Sequence, residues 1–570
     1  MFMLIQPHLY SPPQFTTVQE IIKHSAIEYP NRYALRDLAE NPISSLTYRQ
    51  LYTEILRFGS ALQSLGLKER SHIAIIGENR TQWGLSFLTC FAFNYVAVPV
   101  DKALTAGEIV NILFEAEAEA VIFSGNYEDV LIEHKHSLKK LKHLICMDKT
   151  KAFGEIHIMN QLLSSVESIE SVTLPKINPD DLAEIIFTSG SLGRAKGVML
   201  SQGNIAANIV GMTSVLEIKS DDRFLSVLPM HHTYESTCGF LCPIASGSCV
   251  YFSRSLKTIA DDMMTAKPTV FLGVPLLYDK MFRRIAQALK DDKLKQLLTT
   301  ALVRVTNVAE RFGVSGLKKK LFKVLHEKFG GAIRLFIVGG AAPDARVLTG
   351  LREFGFTIRQ GYGLTETSPI LTVNRIEAFR DDSAGLPLPG VKIAIDSPDE
   401  NGVGEVKAKG GNVMLGYYKN DKATSDVVKD GWFYTGDLGC VDENGFLYIR
   451  GRKKNVIISK SGKNIFPEEI EDLLLKSPYI LEAIVYGEED AKHDEIIAVQ
   501  IVADTDAFIE HANKKGEKIT DEMIRLVLSD EIAKVNKQLA AFKHIKKFTT
   551  RQEEFEKTTT QKIKRYLVKH

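Results

Sequence analysis

Apolar positions recur along this chain in two alternating rhythms. Leu51, Ile55, Phe58, Leu62 and Leu65 return at four-three spacing, which places them on one face and predicts an amphipathic helix over Thr47–Leu65. Ser71–Gly77 is a short apolar run suited to a buried strand, followed by an apolar helix and a second strand over Val96–Val100. Further strands are expected at Glu119–Phe123, Leu144–Met147, Phe224–Leu228, Val250–Ser253, Thr269–Leu272 and Leu335–Val338, with helical stretches between them. This alternation predicts an α/β fold. Lys151–Lys176 is polar and poorly periodic, and reads as a surface connection.

Leu276–Phe329 reads as a long lysine-rich helical stretch. Within it Leu317, Leu321, Phe322, Val324, Leu325 and Phe329 share a face, with Lys318, Lys319 and Lys323 outside that cluster. Such a helix either packs on its domain or rests on a membrane surface. From Gly390 the texture is short β-like runs (Val391–Ile395, Gly404–Ala408, Phe446–Ile449). After Gly451-Arg452-Lys453-Lys454 it changes to a helix near Pro467–Leu475, strands at Ala483–Tyr486 and Ala498–Val502, and a helix from Thr520. A boundary at Arg450–Lys454 follows, dividing a large multi-subdomain N-terminal domain (1–451) from a small α+β C-terminal domain (452–570).

Composition narrows the classes. With 71 Lys and Arg against 70 Asp and Glu, the net charge of +1 implies no bulk attraction to nucleic acid. Of six cysteines, Cys238 and Cys242 stand closest, and no second pair at ligand spacing accompanies them, so neither a zinc site nor a disulfide framework is expected. A reducing cytoplasm fits that usage. Met1–Leu9 lacks the basic start and sustained apolar core of a signal peptide, and no apolar run reaches transmembrane length.

The chemistry gathers in a few stretches. Ile185–Val198 breaks from an apolar run into Thr188-Ser189-Gly190-Ser191-Leu192-Gly193, then reaches Lys196-Gly197 and a second apolar run. Glycines let several N–H groups face one anion, the hydroxyls add donors and Lys196 adds a positive charge, as a polyphosphate requires. No Gly-Lys-Ser/Thr triplet closes the loop, so it is not a Walker A loop. Gly339-Gly340-Ala341-Ala342 follows a strand with small residues against which a flat ring could lie. Tyr362-Gly363-Leu364-Thr365-Glu366 sets a ring, a hydroxyl and a carboxylate in one small loop. Tyr434-Thr435-Gly436-Asp437 is expected to hold its carboxylate on a tight turn, and His231-His232 lie beside an apolar run.

In this order and spacing these stretches resemble the adenylate-forming enzymes over about residues 15–567. Thr188–Gly197 matches the family's phosphate loop, Tyr362–Glu366 its Tyr-Gly-x-Thr-Glu motif, Tyr434–Asp437 its Tyr-x-Gly-Asp motif and Arg452–Lys454 its hinge. The resemblance is greatest to long-chain fatty acyl-CoA synthetases, through Val274-Pro275-Leu276-Leu277-Tyr278, Ser461-Gly462-Lys463-Asn464 and the threonine-rich run before Lys562.

That resemblance implies an AMP-forming carboxylate–CoA ligase with a mobile C-terminal domain. It would use ATP, Mg²⁺ and coenzyme A on a medium- or long-chain fatty acid; an acyl-carrier protein as acceptor and a non-catalytic binding protein are the alternatives. Thr188 and Glu366 would hold Mg²⁺, with Ser189, Gly190, Ser191, Gly193 and Lys196 around the phosphates. Thr365 would contact the α-phosphate, and Tyr362 the adenine, with Gly340 and Ala341 on its other face. Asp437 and Arg452 would bind the ribose, His232 would line the acyl pocket and Gly462 the pantetheine path. Lys562 would serve adenylation and Lys454 would be the hinge. Peripheral membrane contact and a homodimer are the remaining expected partnerships. Leu192, Ala195 and Gln561 depart from the family's usual Thr, Pro and Gly. The Leu192 change removes a hydroxyl whose bond to a charged group is worth about 1.5–3 kcal/mol.

Overall fold

The computed structural model describes residues 9–150, 154, 156–188, 195–290, 293–312, 316–458, 463–489, 495–558 and 563–568. The chain divides into two compact units. One comprises Met1–Ile393, Ala408–Phe433 and Asn444–Phe446; the other comprises Ala394–Lys407, Tyr434–Glu443 and Leu447–His570.

Two sheets build the larger unit. The first runs in the order 386–387, 370–373, 358–363, 335–338, 270–273, 223–226, 249–252, 33–37 and 44–47. Its central strands, from Ile358–Gly363 through Tyr33–Asp37, are all parallel. The second runs 416–417, 196–201, 182–188, 96–100, 72–76, 120–123, 143–146 and 157–158. It is parallel from Leu182–Thr188 outward to His157–Ile158. Parallel strands are buried on both faces, which is why they read as unbroken apolar runs. Ile73, Ile75, Val96, Ala97, Val98, Val121 and Ile122 are indeed buried.

Helix Tyr48–Ser64 begins where its N-cap Thr47 and Gln50 exchange a reciprocal capping pair, and it buries Leu51, Ile55, Phe58 and Leu62. Helix Thr81–Ala92 is buried at every position but Gln82. Two expectations change. Residues 151–176 include a short strand, His157–Ile158, and a helix, Met159–Ser165, because edge pairing to Ile145 and Cys146 supplies order that the polar composition does not announce. Among the described residues the lysine-rich stretch forms four helices, Pro275–Lys290, Lys293–Arg311, Leu317–Leu321 and Lys323–Glu327. A break at Phe322 divides the shared apolar face. Phe322, Leu325 and Phe329 pack inward, while Leu321 and Val324 are exposed. Lys318, expected outside, is buried because its ammonium meets Glu310 at 2.6 Å.

The smaller unit contains a three-stranded sheet, Ile480–Glu489, Glu495–Ala503 and Ile545–Arg551. Ile470 and Leu474 of helix Pro467–Leu474, Phe508 of Thr505–Lys515 and Leu528 of Asp521–Asn536 pack with its Ile480, Val499 and Ile501.

One polar cluster in the larger unit locks the amino ends of three parallel strands. Arg334, just before Leu335–Val338, donates from Nε to Asp222 Oδ1 at 2.8 Å and from Nη2 to Oδ2. The Thr269 hydroxyl, just before Val270–Gly273, donates to the same Oδ1 at 2.6 Å. Burial opposes ionisation of Asp222, but Arg334, Thr269 and the Lys219 N–H outweigh it and hold the carboxyl below its ordinary range. A lowered carboxyl pKa stabilises the fold above the unfolded-state value and loses that contribution as pH falls through the folded-state value. Arg334→Met is therefore expected to cost about 3–5 kcal/mol by stranding a buried carboxylate. Urea unfolding at a series of pH values checks this: the deficit should shrink in acid, and a pH-independent deficit would rule out the ion pair as its cause.

Candidate active site

The carboxyl ends of the two parallel sheets meet. Asn79, just after His72–Ile76, donates to Ser226 Oγ at 2.9 Å and to the Leu228 carbonyl at 2.6 Å, and accepts from Met230 N at 3.2 Å. Asp101, just after Val96–Val100, lies 3.3 Å from His231 Nε2. In open α/β sheets this carboxyl edge is where ligands bind, because loops and unpaired backbone groups collect there.

The candidate residues of the first sheet line that edge. Gly340 and Ala341 follow strand Leu335–Val338, and Gly340 has φ +88°, which its lack of a side chain permits. Tyr362 lies on the adjacent strand Ile358–Gly363, not in a loop; Thr365 and Glu366 occupy the single 3₁₀ turn Thr365–Thr367 beyond it. The tight approach of Pro369 explains Gly363, where a Cβ would stand 1.8 Å from the Pro369 carbonyl oxygen. His232 follows strand Arg223–Ser226, its ring 4.2 Å from that of His231. The backbone then enters a π-helix, Tyr234–Leu241. Burial, opposed by Ser226, raises the Glu235 carboxyl there to about 8, and burial raises Glu184 on the other sheet likewise to about 8. Both acids carry a proton at neutral pH.

The second sheet brings two more candidates, Thr188 and Lys196, into one array with Glu366. Thr188 ends strand Leu182–Thr188 and pairs across the ladder with Lys196. The next strand, Gly416–Tyr417, sets Tyr417 opposite Val198. The Lys196 ammonium lies 4.7 Å from the Tyr417 ring centroid, and the Tyr417 hydroxyl donates to Glu366 Oε1 at 2.9 Å. Met414 N donates to the Glu366 carbonyl at 2.9 Å. Tyr417 thus joins a cation to a carboxylate, and no motif in the sequence marks it. Asn79 and Asp101 are missed for the same reason: each stands in a short polar stretch after an apolar run and belongs to no motif.

Thr188 and Glu366 offer hard oxygen donors, a hydroxyl and a carboxylate, of the kind Mg²⁺ takes while keeping waters and phosphate oxygens as its other ligands. Among the described residues no group of three or more His, Cys, Asp or Glu could enclose a metal, so that shared mode is the one these donors fit. Ser189, Gly190, Ser191, Gly193, Gly462 and Lys562 lie outside the described residues.

In the smaller unit Asp437 lies within the ten-residue strand Trp432–Val441, not on a tight turn; Gly436 beside it has φ +72°. Asp437 pairs with Arg452 across the ladder, and Arg452 Nε donates to its Oδ1 at 2.6 Å. Glu405 accepts from Gly436 N at 3.2 Å and from Lys453 Nζ at 2.8 Å. Lys454 sits in the 3₁₀ turn Lys453–Asn455. Its burial, then the charges of Arg452 and Arg565, hold its ammonium below the ordinary lysine range against the pull of Asp437. Replacing Arg452 with Gln removes one repelling cation and unmasks Asp437, so the Lys454 midpoint should rise. Amine labelling against pH, read by mass spectrometry at Lys454, checks the direction; a fall would exclude this account.

Comparison with known proteins gives the same picture. The profile of the AMP-binding enzyme family matches residues 22–418. The long-chain-fatty-acid–CoA ligase FadD15 of Mycobacterium bovis is 28% identical, covering 95% of this chain and 93% of that protein. Long-chain-fatty-acid–CoA ligase 5 of Rattus norvegicus is 30% identical, over 90% of this chain and 80% of its own. The chloroplastic long-chain-fatty-acid–[acyl-carrier-protein] ligase AEE15 of Arabidopsis thaliana is 27% identical, over 85% and 76%. Among solved structures, ATP-bound MatB from Rhodopseudomonas palustris shares the fold with a TM-score of 0.75 at 24% identity, covering 96% of this chain and 97% of that one. With a phosphate-loop ladder, a carboxyl edge lined by the matching motifs and a profile match over most of its length, the chain belongs to the AMP-binding enzyme family.

Proposed function

We propose that the protein activates a medium- or long-chain fatty acid with ATP as an acyl-adenylate and then transfers the acyl group to coenzyme A. The observation that carries this reading is the Thr188–Lys196–Tyr417–Glu366 array, where the second sheet holds the Thr188 hydroxyl and Lys196 ammonium in register and Tyr417 ties them to the Glu366 carboxylate beyond the first sheet. The fatty-acid relatives in two bacterial and animal lineages support the substrate class.

In the first step a carboxylate oxygen bonds to the α-phosphorus, and the bond from that phosphorus to the bridging oxygen breaks to release pyrophosphate. Two anions must approach, so their repulsion has to be screened where charge develops. Lys196 supplies positive charge at a place set by the Tyr417 face, a contact worth about 0.5–1 kcal/mol at exposed sites. Mg²⁺, held through Thr188 and Glu366, would neutralise phosphate charge as a Lewis acid. Ser189, Gly190, Ser191 and Gly193 complete the phosphate loop in this reading, and Thr365 holds the α-phosphate. Tyr362 and the Gly340–Ala341 backbone enclose the adenine, Asp437 oriented by Arg452 takes the ribose hydroxyls, and His232 borders the acyl carboxylate. Lys562 bridges the two reactants.

In the second step the coenzyme A thiol loses its proton, its sulfur bonds to the acyl carbon and AMP leaves. The incoming thiol along Gly462 needs the space Lys562 held, so residues 452–570 turn about Lys454 between the steps. The six cysteines, all free, suit a cytoplasmic location. The carrier-protein ligase among the relatives favours a second reading, in which the acceptor is an acyl-carrier protein.

ATP–pyrophosphate exchange over saturated acids of increasing length, followed by coenzyme A or carrier protein, tests the proposal. Exchange with a fatty acid and thioester formation on coenzyme A are expected; release of ADP and phosphate alone would overturn it. Tyr417→Phe keeps the ring under Lys196 but removes the bond to Glu366, about 1.5–3 kcal/mol. Adenylation kcat/KM should fall roughly 10- to 150-fold, and an unchanged value would remove Tyr417 from the array. Lys562→Ala should slow adenylation about a thousandfold for a contribution of about 4 kcal/mol, while sparing thioester formation from prepared acyl-adenylate. Lys454→Pro should do the reverse, since its fixed φ hinders rotation. Rapid-mixing measurement of each half-reaction separates them; equal loss in both halves for Lys562→Ala would end the two-orientation account.

A further inference from the structure

Helix Lys293–Arg311 turns its apolar stripe outward. Leu297, Ala301, Val305, Val308 and Phe312, the last just past the helix end, recur at spacings of four, four, three and four, and all five are exposed. Leu297, Val305, Val308 and Phe312 are 52–83% exposed. On the opposite side Thr306 is fully buried, its hydroxyl donating to the Val303 carbonyl at 3.0 Å. Leu321 and Val324, on the two short helices that follow, are exposed as well. Single exposed apolar residues are ordinary, but a periodic stripe over several helical turns is not.

Charge says what covers it. Residues 293–328 contain nine lysines and arginines against two glutamates, in a chain whose net charge is only +1. Of the two glutamates, Glu310 is bound by Lys318 at 2.6 Å and Glu327 lies 3.7 Å from Lys323. Arg304, Lys320, Lys323 and Lys328 are exposed around the stripe. An apolar stripe flanked by cations is the composition of a helix that lies in a bilayer interface, with its apolar side among acyl chains and its cations at anionic headgroups. A second copy of the chain fits poorly, since two such surfaces facing across a two-fold axis set like charge against like. Among the described residues no helix is long and apolar enough to cross a membrane.

We infer that Lys293–Arg311, with Phe312, Leu321 and Val324, docks the larger unit on an anionic membrane surface. The inference goes beyond the acyl-CoA reading and does not rest on it.

Flotation with extruded vesicles, in the absence of ATP, coenzyme A and fatty acid, tests it. The protein should float with vesicles of equal phosphatidylcholine and phosphatidylglycerol, far less with phosphatidylcholine alone, and less as salt rises. The double variant Val305→Asp, Phe312→Asp should lose at least tenfold in partition coefficient while keeping its circular dichroism and melting temperature. If that variant melts early, Lys320→Glu with Lys323→Glu carries the same test at positions that are exposed: binding to the mixed vesicles should fall tenfold and the weak binding to phosphatidylcholine should not change. Failure of the parent protein to float with the mixed vesicles at low salt, or flotation of these variants at the parent level, overturns the inference. So does a parent dimer in light scattering that the Asp variant dissociates, which would make the stripe a dimer face. Because no substrate is present, none of these outcomes depends on which acid the enzyme activates.

Discussion

The antiparallel ladder between Leu182–Thr188 and Lys196–Ser201 is the constraint on which the candidate site depends. Thr188 and Lys196 are ladder partners, so the two ends of the phosphate-loop motif are fixed one strand spacing apart. The same ladder receives Gly416–Tyr417 on its other edge, which delivers the Tyr417 ring to Lys196 and its hydroxyl to Glu366. The ladder tolerates little change. A Cβ on Gly197 would stand 2.9 Å from Ile185 Cγ2 and 3.3 Å from the Phe187 ring. A one-residue slip of Lys196–Ser201 would turn Lys196 to the opposite face and away from Thr188.

The two ends of the parallel strands of the larger unit are treated differently, and the difference is physical. At the amino edge Asp222, Arg334 and Thr269 satisfy one another in a part-buried knot that holds three strand starts together. At the carboxyl edge Asn79 spans to Ser226 and Leu228, and Asp101 meets His231. Small residues such as Gly340 and Ala341 follow there, so the backbone is left within reach of a ligand.

The kind and position of most elements were legible from residue order. Helix Tyr48–Ser64, strand Val96–Val100 and strand Leu335–Val338 lie where periodicity puts them, since each buries a stripe or both faces and so writes its environment into its own sequence. Thr188, Lys196 and Glu366 were legible as candidates because they stand in a motif. The strand Trp432–Val441 was not, since Tyr434-Thr435-Gly436-Asp437 has turn composition and becomes extended through the ladders that Trp432–Val441 makes with Gly404–Lys409, Val428–Lys429 and Leu447–Arg452. Nor was the outward stripe on Lys293–Arg311, because periodicity reports that apolar residues share a face without reporting which way that face points.

By itself, then, the sequence determined the alternation of helix and strand, the family and the residue types available for phosphate, ribose and metal. Tertiary structure alone decided which of them meet. Strand order joins Leu35 to Val250 and Val198 to Tyr417 across long separations that no local pattern encodes. Tyr417, Asn79 and Asp101 acquired their places in that way. A single polar residue has no periodicity of its own; its neighbour is set by the ladder that carries it, and ladders are chosen by the burial of whole sheets.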